Sequence, residues 1–511
     1  MGPNPAHYML RYKFCILALI FLCACSQPKE INPIHDTLTF AVPYDPDTLD
    51  PHSTDTISNI AISSHFYDAL VMVDGSLDVH PALADTWLNP DSKTWVFHLR
   101  KNVKFHNGKS LTSDDVVYSF ERVMKDPSLE MSVYARHITS IRKLSSDQIE
   151  IKTDRPTTIL LNKIRMIAIL PKGTTSADLQ SSENGTGAYR LLSWEKGSIM
   201  KMVRNENYWG EKPFLREATF RLKKNPDQAI ASFVSGESSF IQCNSKKLDQ
   251  VSAVKLNAQH LRSDSLFVEY LGFNLSTEKN PSNPFSNLAL RQAIHLALDR
   301  KKIASNLSIY AVPAAEPVPV FVFGYNPEIV LSQPNPARVQ ELLKQAKWSS
   351  NSSAVIHVRE SFREAGALVQ QQLKDAGISM QLEVLPDDQF FGLRKEGRVL
   401  AYVSRYACTT GDASDLVEDV FHSPDRAGLL DGVDPARYSH PATGEFTDDE
   451  EPTNLIDHRR KGLQAVMSMF MDDLLFAPLY EEQDAYMVNN SYSWKPRYDS
   501  VILASEVRPA K

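Results

Sequence analysis

The chain is 511 residues long, with 55 Lys and Arg against 62 Asp and Glu, and a formal net charge of −7. No strong basic block offsets that balance, which argues against nucleic acid as a partner. The length exceeds what one hydrophobic core usually supports, so two or more lobes are expected.

The N-terminus carries the first signal. Arg11 and Lys13 form a basic flank, no acidic residue occurs in the first 24 positions, and Phe14 to Leu22 is an apolar run. Crossing a bilayer takes about 20 residues, so this run suits the h-region of a signal peptide instead. It ends in Leu22-Cys23-Ala24-Cys25, followed by the polar Ser26-Gln27-Pro28-Lys29-Glu30. That arrangement resembles the lipobox of bacterial lipoproteins. The resemblance implies that residues 1–24 are a lipoprotein signal peptide, that Cys25 is the lipidated residue, and that residues 25–36 are a tether. An ordinary signal peptide with incidental cysteines is the competing reading. A metal-binding CxC would need a second ligand pair at a matched spacing. Beyond Cys25 only Cys243 and Cys408 remain, which allows one disulfide and not a disulfide scaffold.

From Leu38 the pattern turns strand-like, "TLTFAV" alternating apolar and polar side chains. In "ISNIAISSHFYDALV" the residues Ile57, Ile60, Ile62, Phe66 and Leu70 recur at helical spacing, which predicts an amphipathic helix. "KTWVFHLR" reads as a strand and "VKFHNGK" as its hairpin return, with Asn-Gly as the turn. "LTSDDVVYSFERVM" is predicted helical, capped by Thr112 or Ser113, with Asp114 and Asp115 in the first turn where carboxylates favour the helix dipole. "NPFSNLALRQAIHLALDRKKIA", "NPARVQELLKQAKW" and "FREAGALVQQQLKDAGI" are further helices, the last leading into the strand "SMQLEVLP". The acidic run Asp448-Asp449-Glu450-Glu451 reads as a solvated loop. Alternating helices and strands without a repeat make this a mixed α/β protein.

At residues 81–124, "PALADTWLNPDSKTWVFHLRKNVKFHNGKSLTSDDVVYSFERVM", the chain resembles the peptide- and nickel-type extracellular solute-binding proteins of ABC importers. "TLDPH" (48–52), "GTGAYRLLSWEKGSIMKMVRNENYWG" (185–210) and "GFNLSTEKNPSNPFSNLALRQAIHLALDR" (272–300) are similar to further blocks of that family, in order. The resemblance implies an α/β chain with the two-lobed periplasmic-binding-protein fold (type II, large peptide-binding class) and an extra β-rich sublobe. Lobe I would take residues 37–70, 171–266 and 478–511, the sublobe 71–170 and lobe II 267–477. Much of the signature also has a plain reading. Trp87, Trp95, Phe97 and Phe105 suit a sublobe core, Gly187 a backbone demand at a turn, and Arg291 a pairing inside the protein.

The family implies a ligand enclosed between the lobes by hinge closure, a motion typical of periplasmic binding proteins. In its peptide binders the peptide lies extended, hydrogen-bonded like an added strand. An aspartate in a Trp-x-x-Asp-Tyr element pairs there with the peptide's α-ammonium. The corresponding stretch here is "RYACTTGDASDLVEDVF", residues 405–421, which puts Tyr406 at the tryptophan and Thr409 at the aspartate. A buried ammonium without a carboxylate costs several kcal/mol. Either Asp412 substitutes, or ammonium recognition is lost or moved, or the alignment is displaced by a few positions; Asp412 could equally cap the following helix. Asp55 falls near an acidic residue that lines the peptide site of family members. Tyr134 falls near a tyrosine that the sublobe offers to peptide. Arg405 could face a ligand carboxylate or form a structural salt bridge.

The function expected from the resemblance is that of a lipid-anchored receptor on the periplasmic face of a membrane in the cell envelope. It would be a monomer that captures oligopeptides and passes them to the transmembrane subunits of an ABC permease. Alternative cargoes are a muropeptide, glutathione, a nickel chelate or haem; a surface adhesin or holdase chaperone is a different class. No cofactor and no metal site are expected. H-E-x-x-H, G-x-S-x-G, Walker and dinucleotide-turn motifs are missing from the sequence, which gives an enzyme reading nothing to stand on.

Overall fold

In the computed structural model the described residues are 36–180, 183–243, 255–277, 280–349, 352–422 and 455–510, together with Leu248, Val251 and Ala253. Cys25, the signal segment 1–24, tether residues 25–35 and the acidic run at 448–451 lie outside them. Among the described residues no helix is long and apolar enough to cross a membrane.

Three larger sheets organise these residues. Strand Thr37–Val42 runs parallel to Glu217–Leu222 in the middle of a seven-stranded sheet. Its alternation places Phe40 directly opposite Phe220, and the two rings stack with centroids 4.6 Å apart. A six-stranded sheet is built from Ala311–Pro313, Phe476–Glu482, Phe267–Phe273, Ala401–Ala407, Ala354–Arg359 and Met380–Leu385, in that order. The third sheet has four strands, Ala84–Asp91, Thr94–Leu99, Gln148–Thr153 and Ile138–Ser145. Phe97 and Phe105 are buried in its core and Trp87 and Trp95 pack on the edge of that core. In the division expected from the sequence these sheets fall mainly in lobe I, lobe II and the sublobe respectively, and those terms are kept for them.

Local chemistry sets several element ends. Helix Ser113–Lys125 starts at Thr112, whose backbone N–H and hydroxyl both donate to Asp115 Oδ2 at 2.8 Å. The helix expected over 57–71 stops at Ser63. The carbonyls that would continue it are taken by a distant strand: Gly187 N donates to Phe66 O and Tyr189 N to His65 O, each at 2.9 Å. Gly187 serves this close approach and not a turn. An ideal Cβ there would lie 2.4 Å from the Phe66 carbonyl carbon, and one on Gly185 would lie 1.9 Å from Phe66 O.

The hairpin reading of 103–109 also changes. Strand Thr94–Leu99 pairs with Ala84–Asp91 and Gln148–Thr153, while Lys104 bridges Ser110 in a separate small turn. Gly108, at φ +86°, closes that turn. The long helix expected over 283–304 is broken at Leu298-Asp299, where Asp299 Oδ1 accepts from Lys302 N at 3.0 Å and caps a second helix, Arg300–Leu307. Arg291 bonds carbonyls within the protein, among them Phe285 O at 2.6 Å. Cys243 and Cys408 are buried free thiols, and no disulfide joins them.

The chain passes between the seven- and six-stranded sheets at two neighbouring places. Residues 264–266 link strand Ala258–Ser263 to Phe267–Phe273, and Gln483 links Phe476–Glu482 to Asp484–Asn489. The boundary expected at 477/478 therefore falls inside a strand that stays with the six-stranded sheet to Glu482. The two crossings are tied together: Gln483 Nε2 donates to Asp264 Oδ1 at 2.7 Å, and Ser265 Oγ to Glu482 O at 2.6 Å.

Candidate functional site

Away from that double crossing, the sublobe touches lobe II along a polar seam. Two short sublobe helices form one side. Leu160–Ile164 buries Leu160 and Ile164 in the sublobe core, and Glu130–Ala135 carries Tyr134. The other side is the loop 408–413 after strand Ala401–Ala407 and the start of helix Ser414–His422. Gly411, at φ +78°, lets this loop turn so that its N–H reaches Cys408 O at 2.8 Å.

Both sides supply partners. Tyr134 Oη and Thr409 Oγ1 are hydrogen-bonded at 3.0 Å. Asn162 Nδ2 donates to Thr410 O at 3.0 Å, Arg165 donates to Thr409 O, and Lys163 Nζ pairs with Glu418 Oε1 at 2.5 Å. His137 Nε2 lies 3.8 Å from the same Glu418 oxygen, and burial holds its pKa down. Asp415 Oδ2 accepts from Thr410 N at 2.9 Å; burial pushes its carboxyl up to about 7.

Leu77, itself at φ +70°, packs against the same loop. A Cβ on Gly411 would come within 3.1 Å of its Cδ1. Beside the loop opens a cavity of about 500 Å³, lined by residues from both sides of the seam, including Leu77, Asn162, Phe321, Thr410, Arg460 and Gln464. Phe321 also stacks on Tyr498 with ring centroids 4.3 Å apart.

The structure separates the residues singled out in the sequence. Tyr134 and Thr409 meet directly. Asp55 N donates to Glu130 Oε2 at 2.9 Å, which ties Asp55 to the short 3₁₀ helix carrying Tyr134. Arg405 lies over the Phe267 ring, 4.1 Å from its centroid, and 3.9 Å from Glu482. It therefore sits beside the double crossing. Tyr406 is buried in the core of lobe II. Arg459 grips Asp412 with bonds of 2.6 and 2.7 Å, and Asp412 Oδ1 also accepts Ser414 N at 2.9 Å. Sequence reading missed Asn162, Lys163 and Arg165. The one signal was three polar side chains inside the otherwise apolar "ILLNKIRMIAIL".

The family model described as Bacterial extracellular solute-binding proteins, family 5 Middle, matches residues 78–428. The nickel-binding periplasmic protein of Escherichia coli (strain K12) is 25% identical over 415 residues, covering 74% of this chain and 77% of that protein. The oligopeptide-binding protein AppA of Bacillus subtilis (strain 168) is 27% identical over 369 residues, covering 65% and 66%. Among solved structures, the periplasmic binding protein DppA from Helicobacter pylori, in complex with the peptide STSA, superposes with a TM-score of 0.82. It has 22% identity and covers 93% of this chain and 98% of that one.

Proposed function

The chain belongs to the bacterial extracellular solute-binding proteins of family 5, and on that premise we propose that it is a lipid-anchored receptor for oligopeptides. It captures them between two hinged lobes and delivers them to the transmembrane subunits of an ABC importer. The double crossing at 264–266 and Gln483 is the hinge in this reading, and the seam at Tyr134–Thr409 is where the jaws meet. The observation that carries the reading is the direct bond between those two side chains, 275 residues apart in the chain, beside a cavity of peptide size. Backbone hydrogen bonds and water then serve many peptide sequences, because neither depends on the side chain that arrives.

Peptide recognition here does without the family's ammonium-binding carboxylate. Thr409 stands in its place and bonds Tyr134, while Asp412 is held by Arg459. Among the described residues no three His, Cys, Asp or Glu side chains come together as metal donors, so a nickel cargo would bring its own ligands as a chelate. A thermal-shift panel of peptides, muropeptide, glutathione, nickel chelate and haem tests the reading. A ligand that binds only the folded state stabilises it by about 2.7 kcal/mol at a hundredfold excess over Kd. Peptides are expected to raise the melting temperature; a response confined to another cargo rejects the peptide assignment.

A further inference from the structure

We propose that Leu77 is the apolar contact on which the two jaws seat when they shut, and that through closure it sets how tightly the receptor holds its solute. This rests on the reading above, in which lobes close on a peptide, and adds to it a positioning residue that governs affinity.

Leu77 occupies a backbone position that leucine does not favour. Strands Val71–Val73 and Val79–Pro81 pair as a hairpin. In its turn Asp74 N donates to Asp78 O at 3.0 Å and Leu77 N to Asp74 O at 3.1 Å. Asp74 Oδ1 accepts from Ser76 N at 2.8 Å and from Asp78 N at 3.1 Å. A hairpin loop of three residues puts the last of them in the left-handed region, where glycine or asparagine is the ordinary occupant. This chain carries leucine there, at φ +70°. Such strain persists where the surroundings fix it, and here they do. Arg497 Nη2 donates to the Val73 and Asp74 carbonyls at 3.1 and 3.3 Å, and Tyr498 N to Gly75 O at 3.0 Å. The hairpin is thereby fastened to the chain's C-terminal segment.

What the strained position provides is a side chain aimed across the seam. Between the exposed Ser76 and Asp78, Leu77 is half-buried and packs against the core of lobe II. The receiving surface is made for it. A Cβ on Gly411 would lie 3.1 Å from Leu77 Cδ1 and 3.7 Å from its Cβ, so glycine at 411 leaves the room that leucine fills. Gly411 is held from the lobe II side, its carbonyl accepting Phe323 N at 3.0 Å while Ala413 N donates to Phe323 O at 2.8 Å. Two fastened segments thus meet at one leucine. The hydrogen bonds of the seam exchange with water when the jaws part, so each returns little net free energy. An apolar contact gains by leaving water. Leu77 supplies that gain here, together with Phe321 stacked on Tyr498. Apparent affinity scales with the population of the binding-competent form, so a contact made only in the shut form is read directly in Kd.

The test titrates a mixed-sequence tetrapeptide library into the unaltered protein and its variants by calorimetry. Leu77→Gly removes the side chain and the strain together. It should leave the melting temperature of the unliganded protein nearly unchanged, because relief of strain opposes the added freedom of the unfolded chain. It should weaken peptide binding about tenfold, roughly the worth of half-burying one leucine side chain. Leu77→Met keeps an apolar contact and should bind more tightly than Leu77→Gly. Gly411→Ala should weaken binding in the unaltered background and add little to Leu77→Gly, where its methyl no longer meets Cδ1 and only the backbone strain common to both backgrounds remains. An unchanged Kd in Leu77→Gly, with or without a lower melting temperature, overturns the assignment and leaves the peptide reading standing. So does Leu77→Met binding no better than Leu77→Gly, or strict additivity of the two positions. Should Leu77→Gly fail to fold, an unchanged Kd in Gly411→Ala alone overturns it. No binding by the unaltered protein overturns the peptide reading and this assignment with it.

Discussion

At the residue scale, the carboxylate of the loop 408–413 is bound within the protein itself. Asp412 and Arg459 form a buried pair, with side chains only 7% and 10% exposed. Arg459→Met leaves that carboxylate charged and alone, and should cost about 3–5 kcal/mol in urea unfolding; adding Asp412→Asn should recover part of the loss. Two other acids shape the pH response. Glu316 and Glu481 are pushed up to about 8 and about 7, mainly by burial. Their contribution to stability is full below the ordinary glutamate pKa and is lost as pH rises through 7 and 8. The buried His52 and His65 act oppositely, their pKa values held near 4 by burial, so they weaken the fold as pH falls below about 6.5. The melting temperature should therefore fall on the alkaline side, between about pH 6.5 and 8, and Glu316→Gln should flatten that limb and steepen the rise between about pH 4.5 and 6.5, where Glu316 otherwise opposes the histidines. An unaltered alkaline limb would show that Glu316 ionises in the folded protein as it does in water.

At the element scale, sequence and structure agree where the information is local and part where it is not. The helix at 113–125 was legible because Thr112 and Asp115 complete a capping box within four residues. The helix that begins at Ile57 was read too long because its end is set by Gly185 and Gly187, more than a hundred positions later. That cause predicts a mutational ranking. Gly187→Ala drives a methyl into the Phe66 backbone and should destabilise at or above the upper end of the usual 1–3 kcal/mol for overpacking. Gly108→Ala meets nothing within 4 Å and should cost only its left-handed backbone strain, about 1–2 kcal/mol. Equal losses in urea unfolding would remove the close-approach explanation. The same division holds for the site. Tyr134 and Thr409, singled out through the resemblance to the family's motifs, are hydrogen-bonded to each other. Arg165 is not legible in this way, because its bond to the Thr409 carbonyl is a product of tertiary packing.

At the scale of the whole molecule, the chain has two sheet-based lobes joined at paired crossings and a sublobe that reaches lobe II through side-chain bonds. The seam is polar, with Tyr134, Asn162, Lys163 and Arg165 bonded to Thr409, Thr410 and Glu418. Tyr134→Phe should leave the melting temperature of the unliganded protein nearly unchanged and weaken peptide binding several-fold, since it removes one hydrogen bond of about 0.5–1.5 kcal/mol from the shut form. An unchanged Kd would take that bond out of the account. The boldest claim is that the lobes shut on a peptide. Small-angle X-ray scattering of protein stripped of cargo, before and after saturation with the tetrapeptide library, tests it most directly. The account predicts a smaller radius of gyration in the saturated protein. Superimposable curves at saturating peptide would contradict it.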